Sequence, residues 1–248
     1  MAEENSVVAL LLAGGHGRRI PGGRPKQFME VAGHPVIAYA MRTFQCHPGV
    51  DAVYVVCAAE WEDFVRTTAR AEGIAKLAGI FPAGDTSLQS VRNGVEGLQA
   101  VYGAANPAVM VHEAVRPLLS NELVTLNLRT FGAFGDAITA VKSNEAYMVS
   151  EDGVSSHECI PRERLFRAQT PQTFRLTELV EAFHEADHRG IADSQSLYTF
   201  MAEVFPGRVL HIAPGSELNF KLTIPEDLDI LEAILEHRLA KKQQGQLD

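Results

Sequence analysis

The residues best suited to chemistry lie near the start of the chain, where an apolar run leads into a glycine loop rich in cations. Val7 to Leu12 has the length and composition of a strand buried on both faces, and Gly14, Gly15 and Gly17 follow it. Glycines let the backbone turn tightly and present bare N–H groups to an anion. Positive charge comes from four nearby side chains: Arg18, Arg19, Arg24 and Lys26. The combination predicts a polyphosphate site.

The loop matches neither of the common phosphate-binding motifs. It does not read as G-x-G-x-x-G opening a helix, nor as the P-loop pattern G-x-x-x-x-G-K-[ST]. A glycine turn by itself is common in α/β proteins, so the glycines alone leave nucleotide binding open. Cations clustered at the carboxyl end of a strand are costly unless an anion binds there, and this favours a nucleotide ligand.

Periodicity places these residues in an alternating α/β chain. Strands are predicted at 7–12, 51–57, 78–82, 107–112 and 136–142, and helices at 36–44, 59–72, 87–101, 176–188 and 225–240. Such alternation is typical of a mostly parallel sheet with helices on both faces. Ligands of these folds bind at the carboxyl ends of the strands. The polar span 143–160 interrupts the pattern and is interpreted as a β-arm.

Composition limits the class of protein. The 248 residues, 46% of them hydrophobic, suit one domain over 1–240, followed by a tail over 241–248 that we expect to be disordered. A net charge of −9 argues against a nucleic-acid-binding surface. No signal-like apolar segment precedes the first strand, so we expect neither secretion nor membrane insertion. Cys46, Cys57 and Cys159 are odd in number and lack metal-ligand spacing, which favours a cytoplasmic protein.

Five sequence elements together resemble one enzyme family over roughly residues 7–235. They are LLAGGHGRR…PKQF at 11–28, GD…SVRNG at 84–94, VHEAVRPLLS at 111–120, AQTPQTF at 168–174 and NFKLTIPEDL at 219–228. In these elements the chain resembles the CTP-dependent cytidylyltransferases of the 2-C-methyl-D-erythritol 4-phosphate and ribitol 5-phosphate type. The resemblance implies a Rossmann-like nucleotidyltransferase fold and a homodimer formed through a protruding β-arm, with each active site borrowing residues from the partner.

The resemblance also implies roles for individual residues. Catalytic residues that neutralise phosphate charge would be Arg19, Lys26, Arg162 and Lys221. Nucleotide-binding residues would be Ala13, Gly14, Gly15, Gly17, Gly84, Asp85 and Ser90. Acceptor-binding residues would be Glu113, Arg116, Asn144 and Thr170, with Arg116 reaching the acceptor of the neighbouring subunit. Because a triphosphate needs charge screening, Mg²⁺ is expected as a cofactor, with Glu113 as the candidate protein ligand.

Several of these residues also have simpler structural interpretations. Lys221 could be a solvated charge at a strand end. Ser90 could cap the helix that begins nearby, and Asp193, which matches a carboxylate in a substrate-side loop, could cap another.

Three departures from the family pattern leave the acceptor open. Glu113 stands where the family has Asp, Ser87 stands where it has Arg, and Lys142-Ser143-Asn144 replaces the K-D-T or R-D-T of the methylerythritol enzymes. A phosphonate acceptor therefore stays possible, as does a sugar-1-phosphate nucleotidyltransferase using another nucleotide. A weakly catalytic binding protein is the third alternative.

Overall fold

The computed structural model describes residues 6–15 and 24–244, and a seven-stranded sheet forms their centre. The order of its strands is β11-β7-β10-β6-β1-β4-β5. The strands are β1 (Val7–Leu12), β2 (Glu30–Val31), β3 (His34–Pro35), β4 (Ala52–Cys57), β5 (Leu77–Pro82), β6 (Ala108–Glu113), β7 (Ala137–Lys142), β8 (Met148–Val149), β9 (Glu158–Cys159), β10 (Phe166–Arg175) and β11 (Ile212–Pro214). The central strand β1 is almost fully buried, as its apolar run predicts.

Helices cover both faces of this sheet and enclose two large apolar clusters. They are α1 (Val36–Cys46), α2 (Glu62–Ala71), α3 (Ser87–Tyr102), α4 (Asn121–Phe134), α5 (Leu176–Arg189), α6 (Leu197–Val204) and α7 (Glu226–Gln243). Short 3-10 turns lie at Lys26–Phe28, Ala59–Trp61 and Arg162–Arg164. The predicted α/β class with a mostly parallel sheet is confirmed.

The direction of the strands places the functional edge. All neighbouring pairs in the large sheet are parallel except those made by β10, which runs antiparallel to β6 and β7. The carboxyl ends of β1, β4, β5 and β6 therefore meet at one edge. An irregularity in β10 between Ala168 and Gln172 lies beside that edge.

The sequence patterns missed four elements of the second half of the chain. These are α4, β10, α6 and β11. Helix α4 has clear terminal signals that went unused, because the Ser120 hydroxyl accepts a hydrogen bond from the Leu123 N–H and Gly135 ends the helix in the left-handed region, with φ of 88°.

The predicted arm contains a small hairpin. Strands β8 and β9 pair antiparallel within the predicted span 143–160, outside the main sheet. At the other end of the chain, α7 extends to Gln243, three residues into the span predicted as tail. Among the described residues, no helix combines the length and the apolar character that a membrane crossing requires.

Candidate active site

A cavity of about 570 Å³ opens at the carboxyl edge of the sheet. Its walls come from the loop after β1, the start of α3, the end of β6, the irregular part of β10, and the segments before α6 and α7. The sequence-predicted residues that line it are Gly14, Gly15, Lys26, Gly84, Asp85, Ser90, Glu113, Arg116, Thr170 and Lys221. Residues from opposite ends of the sequence thus share one site.

One wall of the cavity, formed by Gly14 and Gly15 after β1 and called the glycine wall, is held by a residue that motif analysis did not single out. Buried Gln27 donates from its amide nitrogen to the carbonyl oxygens of Ala13 and Gly15, at 2.7 Å each. Ala13 itself lies behind the wall, where its N–H bonds the Val56 carbonyl of β4. These two hydrogen bonds fix the backbone of the loop before any substrate arrives. The quoted motif PKQF contained this residue without revealing its role.

Gly14 and Ser90 bring two loops into close approach. A Cβ on Gly14 would lie 2.7 Å from the Ala83 Cβ and 3.0 Å from the Ser90 hydroxyl, so a larger residue does not fit without a backbone shift. Ser90 accepts a hydrogen bond from the Gly84 N–H at 3.0 Å and donates to the Thr86 carbonyl. The helix cap is Thr86, whose hydroxyl accepts from the Gln89 N–H, so the interpretation of Ser90 as a cap is wrong.

Three charged residues form an ion cluster in the cavity. The Glu113 carboxylate accepts from the Arg116 Nε at 2.8 Å and from the Lys221 Nζ at 2.5 Å. Burial opposes ionisation of Glu113, but the two cations outweigh it and lower its pKa to about 2. Arg116 also donates from its Nη1 to the Asn219 carbonyl at 2.8 Å, and its predicted reach to the acceptor of a neighbouring subunit stays a prediction. Lys221, in an irregular segment, is part of this cluster and not an isolated solvated charge.

Lys26 links the glycine loop to the segment that carries Lys221. Its side chain is buried, and its Nζ donates to the carbonyls of Leu222 and Thr223 at 2.7 and 3.3 Å. Leu222 in turn donates its N–H to the Val115 carbonyl, just beyond β6. These bonds place two lysines from opposite ends of the chain on the wall of one cavity, where they can act on phosphate groups.

Comparison with known proteins identifies the family. The family model described as IspD, 2-C-methyl-D-erythritol 4-phosphate cytidylyltransferase, matches residues 7–237. The chain belongs to this family. Members of this family are CTP-dependent cytidylyltransferases, as the sequence resemblance predicted.

Relatives named for two different acceptors match most of the length of this chain. A ribitol-5-phosphate cytidylyltransferase of Streptococcus agalactiae is 31% identical over 93% of this chain and 96% of its own. A 2-C-methyl-D-erythritol 4-phosphate cytidylyltransferase of Pelotomaculum thermopropionicum is 33% identical over 94% of this chain and 96% of its own.

Solved structures of similar proteins agree with this membership. A 4-diphosphocytidyl-2C-methyl-D-erythritol synthase has 25% identity, covers 93% of this chain and 99% of its own, and superposes with a TM-score of 0.76. The 2-C-methyl-D-erythritol 4-phosphate cytidylyltransferase of Thermus thermophilus also has 25% identity, covers 92% and 98%, and gives a TM-score of 0.72. The Rossmann-like nucleotidyltransferase fold is thereby confirmed.

Some predicted cytidylyltransferase residues lie away from this cavity. Arg162 is exposed on the 3-10 turn after the arm, where it faces Glu163 at 3.8 Å. Asn144 lines a second cavity of about 210 Å³ at the base of the arm, together with Arg167 and Glu217. Their roles stay predictions, and Arg19 and Gly17 lie outside the described residues.

The segment 194–198, which leads into the first turn of α6, contributes more to the cavity than the sequence suggested. Asp193 is exposed and does not line the cavity, whereas the residues 194–198 do. The cap of α6 is Ser196, whose hydroxyl accepts from the Thr199 N–H at 3.3 Å, so Asp193 does not cap it. Ser87, the departure from the family arginine, lines the cavity at the first position of α3.

The ion cluster predicts a pH dependence of stability for this cytidylyltransferase. Because the pKa of Glu113 is lowered from 4.5 to about 2 in the folded protein, its stabilising contribution is complete above pH 4.5 and is lost as the pH falls toward 2. Glu113→Gln removes this contribution. Between pH 4.5 and 2 the free energy of unfolding should therefore fall by on the order of 1–3 kcal/mol more in the parent than in the variant.

Urea titrations at a series of pH values measure this difference. Other carboxylates titrate in both proteins and cancel in the comparison. Parallel curves for the parent and Glu113→Gln would show that the cluster does not stabilise the ionised carboxylate.

Proposed function

We propose that this protein transfers CMP from CTP to the phosphate of a small polyol phosphate, of the methylerythritol 4-phosphate or ribitol 5-phosphate type, and releases pyrophosphate. The observation that carries the proposal is the meeting of Lys26, Lys221 and the glycine wall at one cavity. Such a site suits a reaction in which both reactants are phosphates.

The reaction requires charge neutralisation more than proton transfer. An oxygen of the acceptor phosphate attacks the α-phosphorus of CTP, a new P–O bond forms, and the bond to the β-phosphate oxygen breaks so that pyrophosphate leaves. Two anions must approach each other for this step. We assign Lys26, and Arg19 by the family resemblance, to the α-phosphate. Lys221 and Arg162 are assigned to the acceptor phosphate.

The part of the cavity lined by Gly14, Gly15, Gly84 and Ser90 is assigned to the nucleotide. Ser90 fixes Gly84, and Gln27 fixes Ala13 and Gly15, so the backbone groups of both loops are ordered without a ligand. Fixed donors and acceptors at a base edge discriminate by leaving unpaired any group of the wrong base. This rigidity supports selection of cytosine by Gly14, Gly84, Asp85 and neighbouring residues.

We propose Mg²⁺ as the cofactor, held largely by phosphate oxygens. The described residues contain no group of three or more His, Cys, Asp or Glu side chains able to hold a metal ion. Of those that line the cavity, Asp85 and Glu113 carry carboxylates, which fits a cation that binds one or two carboxylates beside substrate phosphates and water. When bound, Mg²⁺ would screen the triphosphate charge. Glu113 would reach the ion only by giving up part of its contact with Lys221 or Arg116.

We propose a homodimer formed through the arm. An isolated two-stranded hairpin is marginally stable in water. The hairpin of β8 and β9 nevertheless exposes several apolar side chains: Tyr147, Met148, Val149 and Val154. A second copy of the chain would cover them and would bring Arg162 of one subunit toward the other subunit's site.

The predicted single domain over 1–240 and the cytoplasmic location are also part of the proposal. The cytoplasmic location is supported by the cysteines, which form no disulfide among the described residues.

Deletion of 146–158 tests the role of the arm. We expect the parent to sediment as a dimer and the deletion variant as a monomer, because the exposed apolar residues of the hairpin are removed. Activity should fall at least tenfold if Arg162 acts across the interface. Sedimentation velocity checks the first result, and an unchanged mass for the deletion variant would contradict the dimer arm.

The acceptor is identified by comparing substrates at fixed CTP. Pyrophosphate release is measured with methylerythritol 4-phosphate, ribitol 5-phosphate, glycerol phosphates and a small phosphonate. We expect one of the two polyol phosphates to exceed the glycerol phosphates and the phosphonate at least tenfold in kcat/KM. A higher value for the phosphonate would overturn the proposed acceptor class while leaving cytidylyl transfer intact.

A further inference from the structure

A buried histidine next to the ion cluster has no role in the reaction proposed above. His112, the penultimate residue of β6, has no solvent exposure and lies directly before Glu113. Its ring packs edge to face against Phe44, with ring centroids 5.6 Å apart. Both ring nitrogens have polar partners: Nε2 lies 3.2 Å from the Arg116 carbonyl oxygen, and Nδ1 lies 3.0 Å from the Thr170 hydroxyl.

These contacts determine where the ring proton lies. A carbonyl oxygen can only accept, so Nε2 carries the hydrogen that is donated to Arg116. Nδ1 faces the Thr170 hydroxyl, whose oxygen is already the acceptor of a backbone N–H, so the hydroxyl hydrogen is available to Nδ1. The Thr170 hydroxyl must then donate to Nδ1. The oxygen of that hydroxyl accepts the Glu113 N–H at 3.1 Å, which completes the arrangement.

These hydrogen bonds form a closed ring of contacts, here called the circuit, that includes Glu113 and Arg116 of the ion cluster. Starting at His112, it passes to the Arg116 carbonyl, from the Arg116 guanidinium to the Glu113 carboxylate, from the Glu113 N–H to Thr170, and back to the ring. A branch leads from Arg116 to the Asn219 carbonyl and from the Asn219 amide to the Thr170 carbonyl. Asn219 lies two residues before Lys221, so the circuit constrains both partners of the Glu113–Lys221 ion pair.

We infer that His112 is a positioning residue. Through Thr170 and Arg116 it holds Glu113, and thereby Lys221, in the place where Lys221 can bind the acceptor phosphate. This inference rests on the proposed function and extends it to a residue that does not touch the substrate. The loops assigned to the nucleotide are held by Gln27 and Ser90, and the hydrogen bonds of these two residues are not part of the circuit. Loss of His112 should therefore affect the acceptor more than CTP.

His112→Phe is the main variant, because phenylalanine fills the ring volume and removes both hydrogen bonds. The chain offers a matched control in His47, a buried histidine that accepts from the Gly49 N–H at Nδ1 and bonds Thr125 at Nε2, away from the cavity. We expect His112→Phe to raise the KM for the acceptor at least tenfold and to change the KM for CTP less than twofold. His47→Phe should lower the melting temperature comparably and leave both KM values within twofold of the parent.

Two polar variants test the hydrogen bonds at Nδ1 and Nε2 separately, and they replace His112→Phe as the test if that variant does not fold. His112→Asn keeps a polar group near the Nδ1 position, and His112→Gln keeps one near Nε2. Each is expected to restore one bond and to raise the acceptor KM at least threefold, but less than the phenylalanine variant does. Equal changes in the KM values for CTP and acceptor, or no greater change than in His47→Phe, would overturn the inference.

A second readout needs no turnover. The rate at which an amine-acylating reagent labels Lys221 is followed by peptide mass spectrometry, with exposed Lys142 as the internal reference. A lysine released from Glu113 reacts faster, so His112→Phe should raise the rate at Lys221 severalfold relative to Lys142. An unchanged ratio would contradict the inference. A parent protein without turnover would instead refute the proposed function, and the labelling result would still decide the role of His112.

Discussion

Replacing Lys26 with glutamine is expected to lower kcat by a factor of about 10² to 10³, equivalent to about 2.7–4 kcal/mol of transition-state stabilisation. The amide of glutamine can still donate to a backbone carbonyl, so the substitution removes the charge more than the hydrogen bonding. In the proposed reaction, charge at this position would act where negative charge accumulates as the two phosphates approach. Steady-state pyrophosphate release at saturating CTP and acceptor measures the effect.

A half-buried lysine, Lys76, separates the catalytic loss from a structural one. Lys76 also donates its amine to two backbone carbonyls, those of Phe44 and His47, and it does not line the cavity. Lys76→Gln should therefore lose a similar amount of stability and keep kcat within about twofold of the parent. A Lys26→Gln variant that retains kcat while matching Lys76→Gln in stability would show that Lys26 acts only as a tie between segments.

Replacing Lys221 with methionine is expected to lower kcat/KM for the acceptor by about 10², with most of the loss in KM. The substitution removes one cation from the proposed acceptor site and leaves Glu113 paired with Arg116 alone. The carboxylate then repels the incoming phosphate more strongly. Initial rates over a range of acceptor concentrations at saturating CTP measure the change.

A double substitution tests this explanation. Because part of the rise in acceptor KM in Lys221→Met arises from an exposed negative charge, Glu113→Gln in the same chain should lower that KM about three- to tenfold relative to Lys221→Met. Arg66→Met is the control, since Arg66 faces Glu62 at 3.8 Å on α2 and lies away from the site. Additive losses in the double variant would show that Glu113 and Lys221 contribute independently.

Local patterns were sufficient for the main-sheet strands in the first half of the chain, although they missed the short pair β2 and β3. The strands β1, β4, β5 and β6 are short apolar runs that end where glycine or polar residues begin, and each prediction lay within one residue of the observed bounds. Parallel strands then place their carboxyl ends together by geometry alone. The sequence could therefore predict that the glycine loop, Gly84 and Glu113 belong to one site.

Strand β10 shows why the remainder could not be predicted. Its residues Gln169, Thr170, Gln172 and Thr173 are polar and yet buried, so the strand lacks the apolar signal that identifies β1. The hydrogen bonds that satisfy these side chains come from distant segments, as when Thr173 donates to Asn127 on α4 at 2.6 Å. A partner 46 residues away leaves no trace in a local pattern.

The ion cluster could not be predicted for the same reason, because its members come from distant segments. Glu113 and Lys221 are 108 positions apart, and the sequence indicated only that each matched a family motif. Their direct contact depends on the Leu222 N–H bond to Val115 and on the Lys26 bonds to the same segment. The family resemblance supplied the roles, but the interaction between the two residues required the structure.

The most direct test of the account is pyrophosphate release by the purified protein with CTP, UTP, GTP or ATP, each with and without a polyol phosphate. We predict release with CTP and acceptor together, in a one-to-one ratio with a cytidine-containing diphosphate product, and at least a hundredfold less with any other nucleotide. Release from UTP or GTP with a sugar 1-phosphate, or CTP binding without turnover on any acceptor, would contradict cytidylyl transfer as the function of this site.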